Sequence, residues 1–131
     1  MKSSNRNSLR FFLAYELNQS IRHRHYVSLV LLSQQSIPDK IPKTLERIVR
    51  HSDMVFFFPN YLAILMGETE KAEALKAVER YQESINGAID VRCSVASFPY
   101  DGKTPLELMY TAIKRLQMAY TLECRSIVAW G

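Results

Sequence analysis

Two short runs rich in apolar residues and β-formers, 54–58 (Met54-Val55-Phe56-Phe57-Phe58) and 61–66 (Tyr61-Leu62-Ala63-Ile64-Leu65-Met66), stand on either side of one dipeptide, Pro59-Asn60. Two such runs joined by two residues read as an antiparallel hairpin. Proline holds φ negative, so Pro59 cannot take the first central position of a type I′ or II′ turn, and a looser type I turn is expected. The hairpin commits the chain to a sheet. The rest of the pattern says what covers it.

Leu9, Leu13, Leu17 and Ile21 recur every four residues with Phe12 beside them, predicting a first helix over residues 7–23 with one apolar stripe. Tyr26-Val27-Ser28-Leu29-Val30-Leu31-Leu32 is nearly continuous in apolar residues and predicts a central strand buried on both faces. Pro38 and Pro42 punctuate a loop, and Leu45, Ile48 and Val49 predict a short second helix ending near His51. After the hairpin, Thr69 with Glu70 and Glu73 begins a helix whose Ala74, Ala77, Val78, Tyr81 and Ile85 share a face and which Asn86-Gly87 ends. A strand over 89–98 leads to the turn Pro99-Tyr100-Asp101-Gly102. Thr104-Pro105-Leu106-Glu107 then combines a capping box with proline at the first helical position. The stripe expected there is Leu106, Met109, Ile113, Leu116 and Tyr120, and residues 126–130 form a last strand.

The order is helix, then βαββαβ, then helix and strand. It predicts a single domain over residues 1–131, an α/β sandwich of ferredoxin-like type with a central mixed β-sheet and flanking helices. At 47% apolar residues the chain can bury its own core. No repeat, low-complexity tract or linker interrupts it.

Composition narrows the setting. Cys93 and Cys124 have neither the number nor the spacing of a disulfide scaffold or a zinc site, which predicts a reducing, cytoplasmic location and no cofactor or metal. No apolar run approaches the ~20 residues of a membrane-spanning helix, so no membrane insertion is expected. The opening Met1-Lys2-Ser3-Ser4-Asn5-Arg6 does not read as a secretory signal. Residues 1–50 hold nine Lys/Arg against three acids and residues 51–131 hold eight against ten, so the basic half is the N-terminal one.

Taken in order, several segments resemble the GGDEF domain of diguanylate cyclases: Asn5-Arg6 opening the first helix, Ser28-Leu29-Val30-Leu31-Leu32 as its first strand, Ala63-Ile64-Leu65 after its signature, and the run 96–108, Ala96-Ser97-Phe98-Pro99-Tyr100-Asp101-Gly102-Lys103-Thr104-Pro105-Leu106-Glu107-Leu108. Ala112, Leu116 and Ala119 continue the pattern. The resemblance spans essentially the whole chain and implies a nucleotide-cyclase-type sandwich.

It also implies where chemistry would sit. In that family, metal ions on the GTP phosphates are held by an aspartate ending the first strand and by an acid of the signature hairpin. The matching places here read Ser33-Gln34-Gln35 and Phe58-Pro59-Asn60-Tyr61-Leu62. Hydroxyls and amides do not replace two carboxylates on a hard cation. The signature glycines, which let substrate approach the turn, are absent, and Phe58 and Pro59 obstruct the approach. The loop after the first strand is shortened, and Tyr120 stands where the family has a phosphate-directed lysine. The expectation is a degenerate GGDEF-like domain without enzymatic activity.

One family element remains. Arg50-His51-Ser52-Asp53, five residues before Pro59, matches the RxxD motif that binds cyclic di-GMP in the family. A guanidinium forks onto phosphate or guanine acceptors and a carboxylate accepts from guanine donors. Arg47, Arg50 and His51 are expected to share a helical face, which makes Arg47, Arg50, His51 and Asp53 the candidate ligand-binding residues. Basic residues also finish helices simply to complement the dipole.

The function expected is therefore a noncatalytic signalling or interaction module, with cyclic di-GMP as its candidate ligand and a protein partner or a homodimer as its candidate assembly. Strand alternation is expected to put at least one of Phe56-Phe57-Phe58 in the core and to leave the exposed remainder as a partner surface, and Arg22-His23-Arg24-His25 reads as a solvated helix end. Only about four residues precede Asn5-Arg6, so input is expected from a partner. An active nucleotide cyclase with an altered site and a basic nucleic-acid-binding α/β domain are the alternatives. The missing carboxylates speak against the first, and the absence of an RNP-like aromatic-glycine motif against the second, so nucleic acid is not expected.

Overall fold

The computed structural model describes residues 6–33, 47–84 and 91–131. The elements run α1 (Arg6–His23), β1 (Val27–Ser33), β2 (Met54–Phe57), β3 (Tyr61–Gly67), α2 (Lys71–Ser84), β4 (Cys93–Phe98), α3 (Pro105–Ala119) and β5 (Ile127–Val128). Outside the described residues lie Gln34 and Gln35, the Pro38 and Pro42 loop, the second helix's start at Leu45, the expected end of the later helix at Ile85, Asn86 and Gly87, and residues 89–90 of the fourth strand.

The strands form one mixed sheet in the order β2-β3-β1-β4-β5. β1 is antiparallel to both β3 and β4, β2 is antiparallel to β3, and β4 and β5 are parallel across the α3 crossover. The first four strands have the ferredoxin-like arrangement expected from the βαββαβ order, and β5 extends it at one edge. β1 is buried at every position because both its edges are paired and both its faces are covered.

Pleating divides the core in two. Val30, Leu32, Leu62 and Ile64 point to the face covered by α2, where they meet Ala74, Val78 and Tyr81. Leu29, Leu31, Ala63 and Leu65 point to the other face, where they meet Leu9, Leu13 and Leu17 of α1 and Leu108, Ala112 and Leu116 of α3. Truncating one of these buried leucines to alanine costs about 2–5 kcal/mol in such surroundings.

Three expected stripe residues are not in the core. Ile21 is 63% exposed and Ser20 is buried instead, because four-residue steps drift about 40° per repeat around a 3.6-residue helix. Leu106 and Tyr120 are likewise exposed, and the buried face of α3 is Leu108, Met109, Ala112, Arg115, Leu116 and Ala119. Ile113 is half-buried.

The caps explain the helix ends. Thr104 Oγ1 accepts from the Glu107 amide at 3.1 Å, while Glu107 reaches back to the Lys103 amide at 2.8 Å. α2 is capped one residue later than expected: Glu73 accepts from the Glu70 amide, and Thr69 is committed elsewhere. α1 stops where Arg24 takes φ 58° and the His25 amide bonds the Ser20 carbonyl at 3.0 Å.

Candidate functional site

The turn between β2 and β3 sits at the sheet rim, as the hairpin pattern requires. The Phe58 amide donates to the Tyr61 carbonyl at 3.0 Å, and neither Pro59 nor Asn60 has a positive φ, which excludes the primed turns that proline forbids. The Phe58 and Tyr61 rings stack at 4.9 Å and pack against the α1/α3 side of the core. Pro59 and Asn60 are exposed, and Leu62 is fully buried.

Ser33 is the register partner of Tyr61, so the end of β1 and the turn come together at one end of the sheet. Ser33 is itself buried. Its Oγ accepts from the Arg92 amide at 2.9 Å, and its own amide donates to the Arg92 carbonyl at 2.8 Å. No cluster of three or more His, Cys, Asp or Glu suited to a metal ion occurs among the described residues. Tyr120 forms the C-cap of α3, where partial desolvation of its hydroxyl outweighs the nearby Arg92 charge and raises its pKa.

Arg50 and Asp53 lie at the opposite end of the sheet. Arg47 and Ile48 are helical, but Arg50 and His51 fall beyond the helix in the turn that leads into β2. The shared helical face expected for Arg47, Arg50 and His51 is therefore not formed, because the Asp53 amide bonds the Arg50 carbonyl and folds the chain back there. Arg47 and His51 are exposed.

The motif's two charged groups face each other rather than outward. Arg50 Nη2 lies 3.1 Å from Asp53 Oδ1 and donates to Thr69 Oγ1 at 2.6 Å. The Asp53 side chain is 1% exposed, whereas Arg50 is 48% exposed. The Asp53 hydrogen bond is the main cause of the upward shift in the Arg50 pKa. Asp53 Oδ2 and the Tyr81 hydroxyl are buried without a hydrogen-bond partner. Burial, and then the nearby Asp53 charge, push the Tyr81 phenol up to about 12.

Thr69 is the residue whose role the sequence concealed, since its position before two glutamates reads as a helix cap. Its hydroxyl donates to the Gly67 carbonyl at 2.9 Å, and its carbonyl accepts from Ser28 Oγ at 2.9 Å. With that proton given to Thr69, the 2.7 Å contact between Ser28 and Ser97 is a bond donated by Ser97. The Ser97 amide in turn donates to Asp101 Oδ2 at 2.8 Å. Asp101 then pairs with Arg115 and with Lys71, each at 3.0 Å. Burial pushes the Asp101 carboxyl up, but the bonds from Arg115, the Ser97 amide and Lys71 outweigh it and hold the pKa below its ordinary value.

Of Phe56-Phe57-Phe58, the expected core phenylalanine is Phe56, and Phe57 and Phe58 are half-buried, which leaves little of the expected partner surface. Strand alternation sends Phe56 to the α1/α3 face, where it is buried near Phe12, and Phe57 to the α2 face. The large exposed apolar side chains include Phe11, Tyr15, Tyr100, Tyr110 and Trp130. No helix among the described residues is long and apolar enough to cross a membrane.

No protein-family model matches the chain, and no curated protein matches it. Solved structures do. The GGDEF domain of PA1120 (YfiN or TpbB) from Pseudomonas aeruginosa superposes with a TM-score of 0.86 at 16% identity, covering 98% of this chain and 97% of that one. The active GGEEF domain of a diguanylate cyclase from Vibrio cholerae gives 0.77 at 10% identity over 98% and 97%. The diguanylate cyclase SiaD of Pseudomonas aeruginosa, solved with its activator SiaC, gives 0.76 at 19% identity over 96% of this chain and 58% of that one. In fold the chain is a GGDEF-like domain.

Proposed function

We propose that this GGDEF-like domain is a noncatalytic signalling and interaction module. The observation that carries the reading is the pairing of Ser33 with Tyr61 beside the Pro59-Asn60 turn. The resemblance calls for carboxylates within Ser33-Gln34-Gln35 and within the turn 58–62, and there Ser33 is a backbone-bonded hydroxyl and Tyr61 an aromatic ring. A triphosphate brought there with its metal ions would meet no anionic ligand from Ser33 or from residues 58–62.

The proposal includes a receptor site for cyclic di-GMP around Arg47, Arg50 and His51. Arg50 keeps about half its side chain in solvent while Asp53 and Thr69 hold one end of its guanidinium. In this arrangement Asp53 orients Arg50 and does not itself reach the ligand. A cytoplasmic setting goes with the proposal and fits the free thiols of Cys93 and Cys124. SiaD's solved complex with an activator supports, by analogy of fold alone, a protein partner for this chain as well.

Calorimetry with cyclic di-GMP, Mg²⁺-GTP and ATP tests both parts. The proposal expects no heat with GTP or ATP, and saturable heat with cyclic di-GMP that Arg50→Lys or Arg47→Ala weakens. Lysine keeps the charge but loses the fork. Saturable GTP binding would remove the noncatalytic reading. Silence with cyclic di-GMP at high micromolar concentration would remove the receptor.

A further inference from the structure

A cleft of about 600 Å³ opens between the first turns of α2, the Tyr100-Asp101 turn and Trp130. It is lined by Glu70, Lys71, Leu75, Tyr100, Asp101 and Trp130. It is an open surface cleft rather than an enclosed cavity. Two of its walls are aromatic and largely uncovered, with Trp130 65% exposed and Tyr100 68% exposed.

Each ring is held in place from one side. Tyr26 stacks on Tyr100 at 5.9 Å between centroids, and their hydroxyls lie 3.3 Å apart. Lys71 Nζ sits 4.8 Å from the Trp130 ring centroid. An ammonium over indole is a favourable electrostatic contact, so this ring already holds one cation.

The charges facing the cleft are unequally committed. Lys71 Nζ is bound to Asp101 at 3.0 Å and to the Ala129 carbonyl at 2.7 Å, with 13% of its side chain exposed. Asp101 is doubly paired, since Arg115 holds its other oxygen. Glu70 is exposed, and Glu73 brings a second carboxylate back to the Glu70 amide. These two acids offset the partial positive charge of the α2 N-terminus. The cleft's unpaired charge is negative.

We propose that this cleft binds a guanidinium group, presented as an arginine side chain on an exposed segment of a protein partner. A guanidinium is flat enough to lie on an indole or phenol face and forks onto a carboxylate, which an ammonium does less well. Tyr100 and Trp130 would supply the faces and Glu70 the carboxylate. A phosphate-bearing ligand is disfavoured here by the exposed Glu70 carboxylate. The site shares no residue with the candidate cyclic di-GMP site and stands independently of it.

Trp130 is the only tryptophan in the chain, so its fluorescence reports on the cleft directly. The probes are a capped Ser-Arg-Ser peptide and its citrulline counterpart, a neutral near-isostere. The arginine peptide should change the fluorescence saturably below about 10 mM, and citrulline should bind at least about fivefold more weakly, as expected for one cation–π contact with one exposed ion pair. Glu70→Gln should weaken binding about threefold and Tyr100→Ala about tenfold, with unchanged melting temperatures because both side chains are exposed. Equal binding of arginine and citrulline peptides would overturn the proposal. So would silence across that range, or parental affinity in both variants.

Discussion

Where β1 ends, Ser33 and Tyr61 face each other beside an exposed proline turn, and the buried hydroxyl there bonds only backbone. Where β1 begins, hydrogen bonds run from Asp53 through Arg50, Thr69, Ser28 and Ser97 to Asp101, Lys71 and Arg115. At the turn end the facing residues Ser33 and Tyr61 carry no charge, although Arg92, whose backbone bonds Ser33, extends its guanidinium to the Ala119 and Leu122 carbonyls. The other end concentrates charge, and Arg50, Asp53, Lys71, Asp101 and Arg115 are each paired within the protein there. A sheet of this kind can lose the groups of one end without disturbing the other, because the strands between them are held by apolar burial on both faces.

The contrast should appear first in stability. Arg115→Ala leaves Asp101 buried with one fewer cation and removes the bond to the Val95 carbonyl. Breaking a buried pair from one side costs about 3–5 kcal/mol, so thermal or urea unfolding should show a larger loss than Arg50→Ala or Asn60→Ser causes. A loss under about 1 kcal/mol would mean that the Asp101 cluster does not hold this end together.

Arg50→Ala comes next. Arg50 is half exposed, but Asp53 and Thr69 are buried, and both lose a donor. A loss of about 2 kcal/mol in urea unfolding is expected. An unchanged midpoint would return Arg50 to the role of a free, solvent-facing helix-end residue.

Lowering the pH should act through the same end. The Asp101 pKa is depressed in the folded protein, so its contribution is fully present above the unfolded carboxyl pKa and is lost as pH falls through the folded value. Urea unfolding of the parent should therefore weaken more steeply below about pH 4 than that of Asp101→Asn, which has no proton to take up there. Parallel pH profiles would deny Asp101 this role.

The smallest effect belongs to the turn. Asn60→Ser changes an exposed residue with no constraint on φ, and a stability change within about 0.5 kcal/mol is expected. A larger loss would show that the turn is structurally committed and would blur the contrast between the two ends.

What could be read from the chain follows the same division. The strand cores, the hairpin and the Thr104 cap were legible because they depend on local period, proline chemistry and residues within four positions of each other. The mixed sheet followed from the order of elements. Ile21, Leu106 and Tyr120 were misplaced because spacing alone does not say where a stripe rotates off the sheet. Thr69 and the inward turn of Asp53 were hidden for a different reason. Thr69 meets Arg50 and Ser28, 19 and 41 positions away, only once the strands have paired, and the Arg50–Asp53 contact, though local, turns inward only because Arg50 is also held by Thr69. The Trp130 cleft was equally hidden, since it joins residues 70, 100 and 130 across three connections.

The proposal that the turn end carries no cyclase activity is tested most directly by turnover. Purified protein incubated with GTP and Mg²⁺ or Mn²⁺, with products separated by chromatography, should yield no cyclic di-GMP above that of a buffer control. Product that scales with protein concentration and disappears in a Tyr61→Ala variant that still folds would contradict the account.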